Sequence, residues 1–320
     1  MGEGCSPGIN HTGSDNSRLR GWNEGLLHRH LRLYRRIGCS SSRCRRTSSN
    51  WTGSYPGKGR CGSCPRHPAI VGTLDDGGCL AQAAQAADIV VNAASADHHG
   101  AVAALLGALA GSGKLFIHTS GSSIVGTRAQ GHRSDAIFDE SSPITPSPAR
   151  AARVALNNFI LSYRDKGCRP VIICPSLIYG LGHGAAPHSM QVPLLIGLAR
   201  KRGCAAHAGP GENIWSNVHI DDLVTLYALA IEKAPAGVFF FAEHGENSMR
   251  EICEAINRML GQEAAPSAMS MEEATSEWGE GVTEDTMASN SRVRAALARQ
   301  LGWKPQARSL IEEIEQGCYR

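Results

Sequence analysis

From residue 69 onward, short apolar runs alternate along the chain with segments of helical periodicity. The runs at 87–95, 114–123 and 169–180 are rich in β-branched residues, which is typical of strands covered on both faces. Segments of helical pattern lie between them, at 98–113 and 152–167. Because strand, helix and strand in this order form right-handed crossovers, the pattern predicts an α/β fold with a Rossmann-like, doubly wound parallel sheet. Ligands of such a sheet bind at the carboxyl ends of its strands.

The alternation becomes less regular after residue 181, where we predict a smaller C-terminal lobe. A glycine-rich loop is followed by helical patterns at 193–203 and 214–234 and by a polar, mainly helical remainder. We therefore expect one domain over residues 69–316, in which 181–316 forms most of a lobe that closes over the ligand.

Residues 1–68 show neither the 3.6-residue apolar period of a helix nor the two-residue period of a strand, and they are dominated by Ser, Gly, Arg and Cys. Residues 1–70 hold twelve Lys and Arg against three acids, a net charge of +9, so the rest of the chain carries −6. We predict that 1–68 is an irregular, poorly ordered basic segment. Two alternatives stay open: an organelle transit peptide rich in Arg and Ser, and a stretch translated out of frame in place of two strands and two helices.

Charge and composition exclude several classes of partner. An acidic main body gives no reason to expect nucleic acid, and no apolar run approaches the roughly 20 residues that span a bilayer, so we expect no membrane partner. The first ten residues contain no apolar leader, from which we predict a cytoplasmic protein with free thiols. Four cysteines have spacings that could suggest a zinc site: Cys39, Cys44, Cys61 and Cys64. We predict no metal site there, because the segment around them lacks the strand and helix patterns that frame the ligands of zinc modules.

Six sequence blocks are more specific, because they follow one another in a characteristic order and spacing. They are GTLD at 72–75, ADIVVNAAS at 87–95, FIHTSGS at 116–122, PSLIYG at 175–180, VHIDD at 218–222 and LGWKP at 301–305. In this order the chain resembles the NAD-dependent epimerase/dehydratase family, an extended group of the short-chain dehydrogenases/reductases. The resemblance covers about residues 69–316, and the order of the blocks carries it, since each block alone is weak.

The resemblance implies that NAD or NADP is the cofactor, with the preference between them open. The small residues Ala93, Ala94 and Ser95 would border the dinucleotide. Thr73 and Leu74 would lie at the adenine, and the nicotinamide would lie near Pro175 to Leu177. Relatives usually have an acid where this chain has Thr73. The residues that the resemblance assigns to the cofactor are Thr73, Leu74, Ala93, Ala94, Ser95, Arg153, Pro175, Ser176 and Leu177.

The family's chemistry uses a tyrosine four residues before a lysine, because the cation lowers the pKa of the phenol. Counting along the chain places that pair at Ala149 and Arg153, so the phenol is missing. Hydroxyl groups at the end of a strand are the candidate catalytic groups in its place: Thr119, Ser120 and Ser122. Tyr179, Trp215 and His219 are the candidate substrate contacts, although each could instead pack within the lobe.

The sequence GKGRCG at 57–62 matches the phosphate-binding pattern G-x-G-x-x-G. Tyr55-Pro56 precedes it in place of an apolar strand, and two prolines, Pro65 and Pro68, follow where a helix would begin. We therefore interpret this match as coincidental.

The resulting expectation is an NAD(P)-dependent oxidoreductase or epimerase-like protein that acts on a small carbonyl, alcohol or sugar-derived substrate by hydride transfer. The missing phenol leaves a second hypothesis open, a catalytically silent NAD(P)-binding sensor or scaffold. A third is that the polypeptide binds no cofactor, because the first part of its sheet is absent. The substrate and the oligomeric state are open, with a homodimer as the candidate assembly.

Overall fold

The computed structural model describes residues 31–36, 47–52, 69–70, 72–182 and 187–320. Its strands are β1 (Leu31–Arg36), β2 (Thr47–Thr52), β3 (Ala69–Ile70), β4 (Ile89–Asn92), β5 (Leu115–Thr119), β6 (Thr127–Arg128), β7 (Arg169–Pro175), β8 (Leu177–Tyr179), β9 (Ala206–Ala208), β10 (Ile214–His219), β11 (Val238–Ala242), β12 (Gly245–Ser248), β13 (Ser267–Met269) and β14 (Ser289–Asn290).

The helices are α1 (Gly77–Ala86), α2 (His99–Leu109), α3 (Pro148–Ser162), α4 (Gln191–Arg202), α5 (Ile220–Lys233), α6 (Met249–Met259), α7 (Met271–Trp278), α8 (Glu280–Val282), α9 (Ala296–Gln300) and α10 (Leu310–Gln316). Two 3₁₀ turns, Ser122–Val125 and Tyr163–Lys166, and one π-helical turn, Thr283–Met287, complete the described helical structure.

Seven strands form the central sheet, in the order β11-β7-β5-β4-β1-β2-β3. The four strands β4, β5, β7 and β11 pair in parallel. From β3 to β7 the strand order is that of a doubly wound dinucleotide-binding sheet, 3-2-1-4-5-6. The predicted Rossmann-like α/β fold is therefore confirmed.

Strand β1 runs against this direction and pairs antiparallel with both β4 and β2. Ten residues, 37–46, join β1 to β2. Antiparallel neighbours need only a short connection, whereas two adjacent parallel strands need a crossover of about a dozen residues or more. Two strands thus lie within 1–68, the segment predicted to be irregular. Cys39, Cys44, Cys61, Cys64 and the glycine motif at 57–62 lie outside the described residues.

Alternate residues of the parallel strands point to opposite faces of the sheet, as the period of two requires. Phe116 and Ile172 pack in one core with helices α1, α2 and α3. Ile117 and Val171 pack in the other core with helix α5 and Trp303. Because both faces are covered, the carboxyl edge of the sheet is where a ligand can approach the strands.

The chain leaves the central sheet at Pro175 and passes within two residues into a second sheet, of order β12-β10-β8. Trp215 of β10 and Tyr179 of β8 are buried in a third core, built largely from helices α4, α6 and α10. The junction between β7 and β8 therefore places the second sheet beside the carboxyl edge of the first. Within the described residues, no helix is long and apolar enough to cross a membrane.

Candidate functional site

A cavity of about 340 Å³ lies at the carboxyl ends of β5 and β7, where the second sheet meets the first. Its lining combines hydroxyl groups, two arginines and apolar side chains. The lining residues are Ser120, Gly121, Ser122, Ser123, Arg150, Arg153, Pro175, Ser176, Ile178, Gly180, Pro187, His188, Ser189, Met190, Gln191, Trp215, Ile220 and Thr286. Several predicted site residues are thus brought together here from separate parts of the chain.

Ser120 follows directly after β5, and its position is fixed by two hydrogen bonds. Its backbone N–H donates to the Ile173 carbonyl at 2.8 Å, and its Oγ accepts from Asn157 Nδ2 at 3.0 Å. The hydrogen of the Ser120 hydroxyl remains to be donated, either to the neighbouring Cys174 sulfur or into the cavity. Asn157, in helix α3, was not predicted from the sequence.

The other two predicted hydroxyls have partners within the fold. Ser122 Oγ lies 2.8 Å from Ser291 Oγ, and the same Ser291 hydroxyl lies 2.8 Å from the Ser122 carbonyl. Thr119 Oγ1 lies 2.6 Å from the Tyr227 hydroxyl, and Thr119 does not line the cavity. Ser120 is therefore the hydroxyl of the three with the most direct access to a ligand.

Arg153 projects from α3 toward the end of β5 and forms a two-point ion pair with Asp97. Its Nε and Nη2 lie 2.7 and 2.6 Å from the two Asp97 oxygens, and Nη1 donates to Ser123 Oγ at 3.1 Å. The Arg153 hydrogen bond holds the pKa of the Asp97 carboxyl below its usual value, against the opposing effect of burial. A Cβ atom on Gly121 would lie 3.2 Å from Arg153 Nη1, so the glycine leaves the space beside the guanidinium open.

The phenol expected at position 149 is replaced by a methyl group, and no tyrosine is among the described lining residues. The Tyr179 hydroxyl donates to the Arg308 carbonyl at 2.7 Å. Burial raises the pKa of both Tyr179 and Tyr227. The Tyr319 hydroxyl accepts from the Gly180 backbone at 3.0 Å, and burial raises the pKa of Tyr319 to about 12.

Apart from Arg153 on α3, the residues predicted to hold the cofactor lie at or after the carboxyl ends of three strands. Ala93, Ala94 and Ser95 follow β4 and are buried or half-buried. Asn92 Oδ1 accepts from the Ala94 N–H at 3.2 Å and thereby fixes this turn. Thr73, which is exposed, and the half-buried Leu74 follow β3, three strands away from β4.

At the carboxyl end of β7, Pro175 and Ser176 line the cavity, whereas Leu177 is fully buried behind them. The Ser176 hydroxyl donates to the Ala242 carbonyl at 2.9 Å, which joins β7 to β11. This contact fixes the wall of the cavity at the point where the chain changes sheet.

Of the three predicted substrate residues, Trp215 lines the cavity, and its Nε1 donates to the Ser289 carbonyl at 2.7 Å. Tyr179 and His219 lie behind the wall, with their rings 5.2 Å apart. His219 Nδ1 accepts from the Asp221 N–H at 3.1 Å and caps helix α5. Tyr179 and His219 therefore support the cavity wall, and contact of either with a substrate stays a prediction.

Comparisons with known proteins found a matching family model and several similar proteins. The family model described as the NAD dependent epimerase/dehydratase family matches residues 58–239. The chain is 30% identical over 300 residues to "Oxidase ucsJ" of Acremonium sp, covering 78% of this chain and 83% of that protein. It is also 30% identical over 220 residues to an uncharacterized protein of Saccharomyces cerevisiae, covering 67% of each chain.

Solved structures share the fold at lower identity. A dTDP-glucose 4,6-dehydratase of Bacillus anthracis, solved in complex with NAD, matches with a TM-score of 0.63 and 16% identity over 79% of each chain. A UDP-glucose 4-epimerase of Thermotoga maritima, solved with UDP-glucose, matches with a TM-score of 0.62 and 16% identity over 81% of this chain and 86% of its own. At these identities the structures show the fold alone.

Proposed function

The chain belongs to the NAD-dependent epimerase/dehydratase family, and from this premise we propose that it is an NAD(P)-dependent oxidoreductase or epimerase. Its substrate is a small carbonyl, alcohol or sugar-derived compound, which reacts by hydride transfer. The cavity at the carboxyl ends of β5 and β7 supports this most strongly, because a doubly wound sheet binds its ligands at that edge. Its volume of about 340 Å³ suits a small ligand.

The described residues fit the nicotinamide side of a dinucleotide. Ala93 and Ala94 offer minimal side chains after β4, and Gly121 keeps the space beside Arg153 open. Arg153 uses three of its five N–H donors on Asp97 and Ser123, so two remain for ribose or phosphate oxygens.

Bound at this edge, the nicotinamide would supply the site that donates or accepts a hydride. Pro175 and Ser176, backed by Leu177, would hold its ring. The adenine end would lie near Thr73 and Leu74, and Ser95 would border the dinucleotide between the two ends.

Ser120 is the residue that we propose to contact the reacting oxygen of the substrate. Because Asn157 donates to Ser120 Oγ, the serine hydroxyl can donate its own hydrogen to a carbonyl or hydroxyl in the cavity. A hydroxyl aimed at a developing oxyanion stabilises negative charge there. Ser122 orders the turn through Ser291, and Thr119 anchors the end of β5 through Tyr227.

The second sheet supplies the substrate side of the cavity, in the lobe that we assign mainly to residues 181–316. Trp215 offers a flat apolar face, on which a sugar ring or a short carbon chain can lie. Tyr179 and His219 hold this wall from behind, and their own contact with a substrate remains part of the proposal.

One observation favours a second candidate, a catalytically silent NAD(P)-binding sensor or scaffold. The described lining of the cavity contains no phenol, and Arg153 cannot act as a general acid at ordinary pH. The preference between NAD and NADP, the cytoplasmic location, the homodimer and the absence of nucleic-acid or membrane partners remain predictions.

Turnover distinguishes the two candidates. The purified protein is mixed with NADH or NADPH and a panel of aldehydes and ketones, and oxidation of the cofactor is followed by absorbance. It is also mixed with NAD and a panel of nucleotide sugars, and epimerised products are followed by chromatography. We expect turnover that falls at least about tenfold in Ser120→Ala, the loss of about one hydrogen bond to developing charge. Ser162→Ala, at an exposed hydroxyl of α3, is the matched control and retains full activity. Saturable binding of the cofactor with neither oxidation nor epimerisation across the panels would support the silent binder instead.

A further inference from the structure

Two arginines face the cavity from the first turns of helix α3. Arg150 and Arg153 are three residues apart, so they lie on the same side of the helix. Apart from His188, they are the ionisable side chains of the described lining, which contains no Asp or Glu. The charge that the described wall presents to a ligand is therefore positive.

The positive charges of the two guanidinium groups are paired with carboxylates to different degrees. Arg153 is matched by Asp97 in the two-point ion pair described above. Among the described residues, Arg150 has only a longer side-chain contact, with Nη2 at 3.6 Å from Asp285 Oδ2. The other oxygen of Asp285 already accepts from Arg128 Nε at 2.9 Å.

The Nε atom of Arg150 is buried and has no hydrogen-bond partner among the described residues. Burial lowers the pKa of Arg150, the charge of Arg153 lowers it further, and Asp285 and Asp97 oppose them. An arginine keeps its charge under these conditions, and the carboxylate paired with Arg150, that of Asp285, is shared with Arg128. A buried N–H without a partner also has a cost, so the guanidinium of Arg150 is less completely satisfied than that of Arg153.

We propose that Arg150 binds an anionic group of the substrate, so that the substrate class is small carbonyl or alcohol compounds bearing a carboxylate or a phosphate. The inference rests on the proposed function, and it adds the charge of the substrate to it. The planar guanidinium can bind two oxygens of either group at once. Arg150 and Ser120 line the same cavity, so the anion fixes the substrate while its reacting oxygen lies near Ser120.

Anion binding to the whole protein tests this without any turnover. The probes are inorganic phosphate, malonate and the neutral analogue malonamide, titrated by calorimetry at constant ionic strength. We expect phosphate or malonate to bind saturably and malonamide not to bind. In Arg150→Gln the dissociation constant rises at least about tenfold, equivalent to about 1.4 kcal/mol.

Two further variants separate the site from its surroundings. Arg128 pairs with the same Asp285 but does not line the cavity. Arg128→Gln therefore removes a nearby positive charge without changing the lining, and we expect its anion affinity to stay within about twofold of the wild type. Arg150→Lys keeps the charge and should recover part of the affinity. Unfolding curves of all variants without ligand establish that each one is folded. Unchanged anion binding in Arg150→Gln overturns the proposal, as does an equal loss in Arg128→Gln.

Anion titration in the presence of NADH separates this test from the test of the proposed function. Phosphate or malonate should still bind when NADH is saturating, because the anion belongs to the substrate. Displacement of the anion by NADH would assign Arg150 to the cofactor and overturn the inference. Anion binding through Arg150 in a protein that binds neither NADH nor NADPH would contradict the proposed function, while the anion site itself would stand.

Discussion

At the scale of single residues, the site depends on how β5 distributes its side chains. Phe116, His118 and Ser120 point toward the layer of α1, α2 and α3, whereas Ile117 and Thr119 point toward α5. Adjacent hydroxyls therefore have unlike partners, Asn157 for Ser120 and Tyr227 for Thr119. The period of two could have predicted this separation from the sequence.

Asn157 acts through Ser120, and we expect it to be a positioning residue. Asn157→Ala removes the donor that orients the serine hydroxyl, so kcat should fall at least about fivefold, close to 1 kcal/mol, while KM for the substrate changes little. Because the two residues share one contact, the combined Ser120→Ala/Asn157→Ala variant should lose little more than Ser120→Ala alone. Additive losses in kcat would show that the two side chains act independently.

We expect His118 to make the stability of the fold depend on pH. Its ring is fully buried, and Nδ1 lies 3.0 Å from Asn92 Nδ2. Burial lowers the pKa of His118 to about 4, from the 6.5 that is usual for an exposed histidine. Between these two values the unfolded chain binds a proton that the folded chain does not, so stability falls as the pH falls from 6.5 to 4. The full loss is about 3 kcal/mol, and the penalty is absent above pH 6.5.

The check is urea unfolding at pH 7, 6, 5 and 4. In His118→Gln, the free energy of unfolding should fall much less between pH 6.5 and pH 4, because most of the loss of about 3 kcal/mol comes from His118. His132→Gln, at an exposed histidine, should keep the dependence of the wild type. An identical pH dependence in His118→Gln would refute the assignment.

At the scale of helices and strands, the end of β8 fixes the wall of the cavity. Gly180 has a φ of +89°, and a Cβ atom there would lie 2.5 Å from His219 Nε2. Gly180→Ala should therefore lower the free energy of unfolding by about 1–3 kcal/mol and weaken substrate binding through the displaced wall.

Gly107 is the matched control, because it lies within helix α2 and a Cβ atom there meets nothing within 4 Å. Gly107→Ala should raise the free energy of unfolding by about 0.5–1 kcal/mol. Thermal and urea unfolding measure both changes. Equal effects of the two substitutions would show that Gly180 is not constrained by His219.

Several elements could be predicted from the sequence because their signal is local. The apolar runs predicted β4, β5 and β7, and the helical patterns predicted α2 and α3. Helix α2, predicted at 98–113, is observed at His99–Leu109, and α3, predicted at 152–167, is observed at Pro148–Ser162. Strand β1 could not be predicted, because its sequence LRLYRR carries little apolar signal and its pairing depends on distant strands. The resemblance placed Arg153 and Ser120 at the site, but their respective partners, Asp97 and Asn157, come from other elements and have no local signature.

The spacing of Arg150 and Arg153 is a signal that could have been used. Residues three apart on a helix share a face, so one predicted site arginine implied that the other lies beside it. What the sequence could not give is the difference in their partners, because Asp285 approaches Arg150 from more than a hundred residues away.

At the scale of the whole molecule, two layers of helices cover the central sheet and leave its carboxyl edge to a crevice. The second sheet closes one side of that crevice through the junction of β7 and β8. From β3 to β7, six of the seven strands follow the order of a dinucleotide-binding fold, even though β1 runs antiparallel to β4. The central claim is therefore that this edge binds a nicotinamide dinucleotide.

Titration of the purified protein with NADH and with NADPH, followed by nucleotide fluorescence, tests this claim most directly. We predict saturable binding of at least one nucleotide by the wild type and by Ala155→Trp, which adds bulk on the exposed side of α3. Ala93→Trp fills the groove after β4 and should abolish binding while the protein stays folded. A wild-type protein that is folded and binds neither nucleotide would contradict the account.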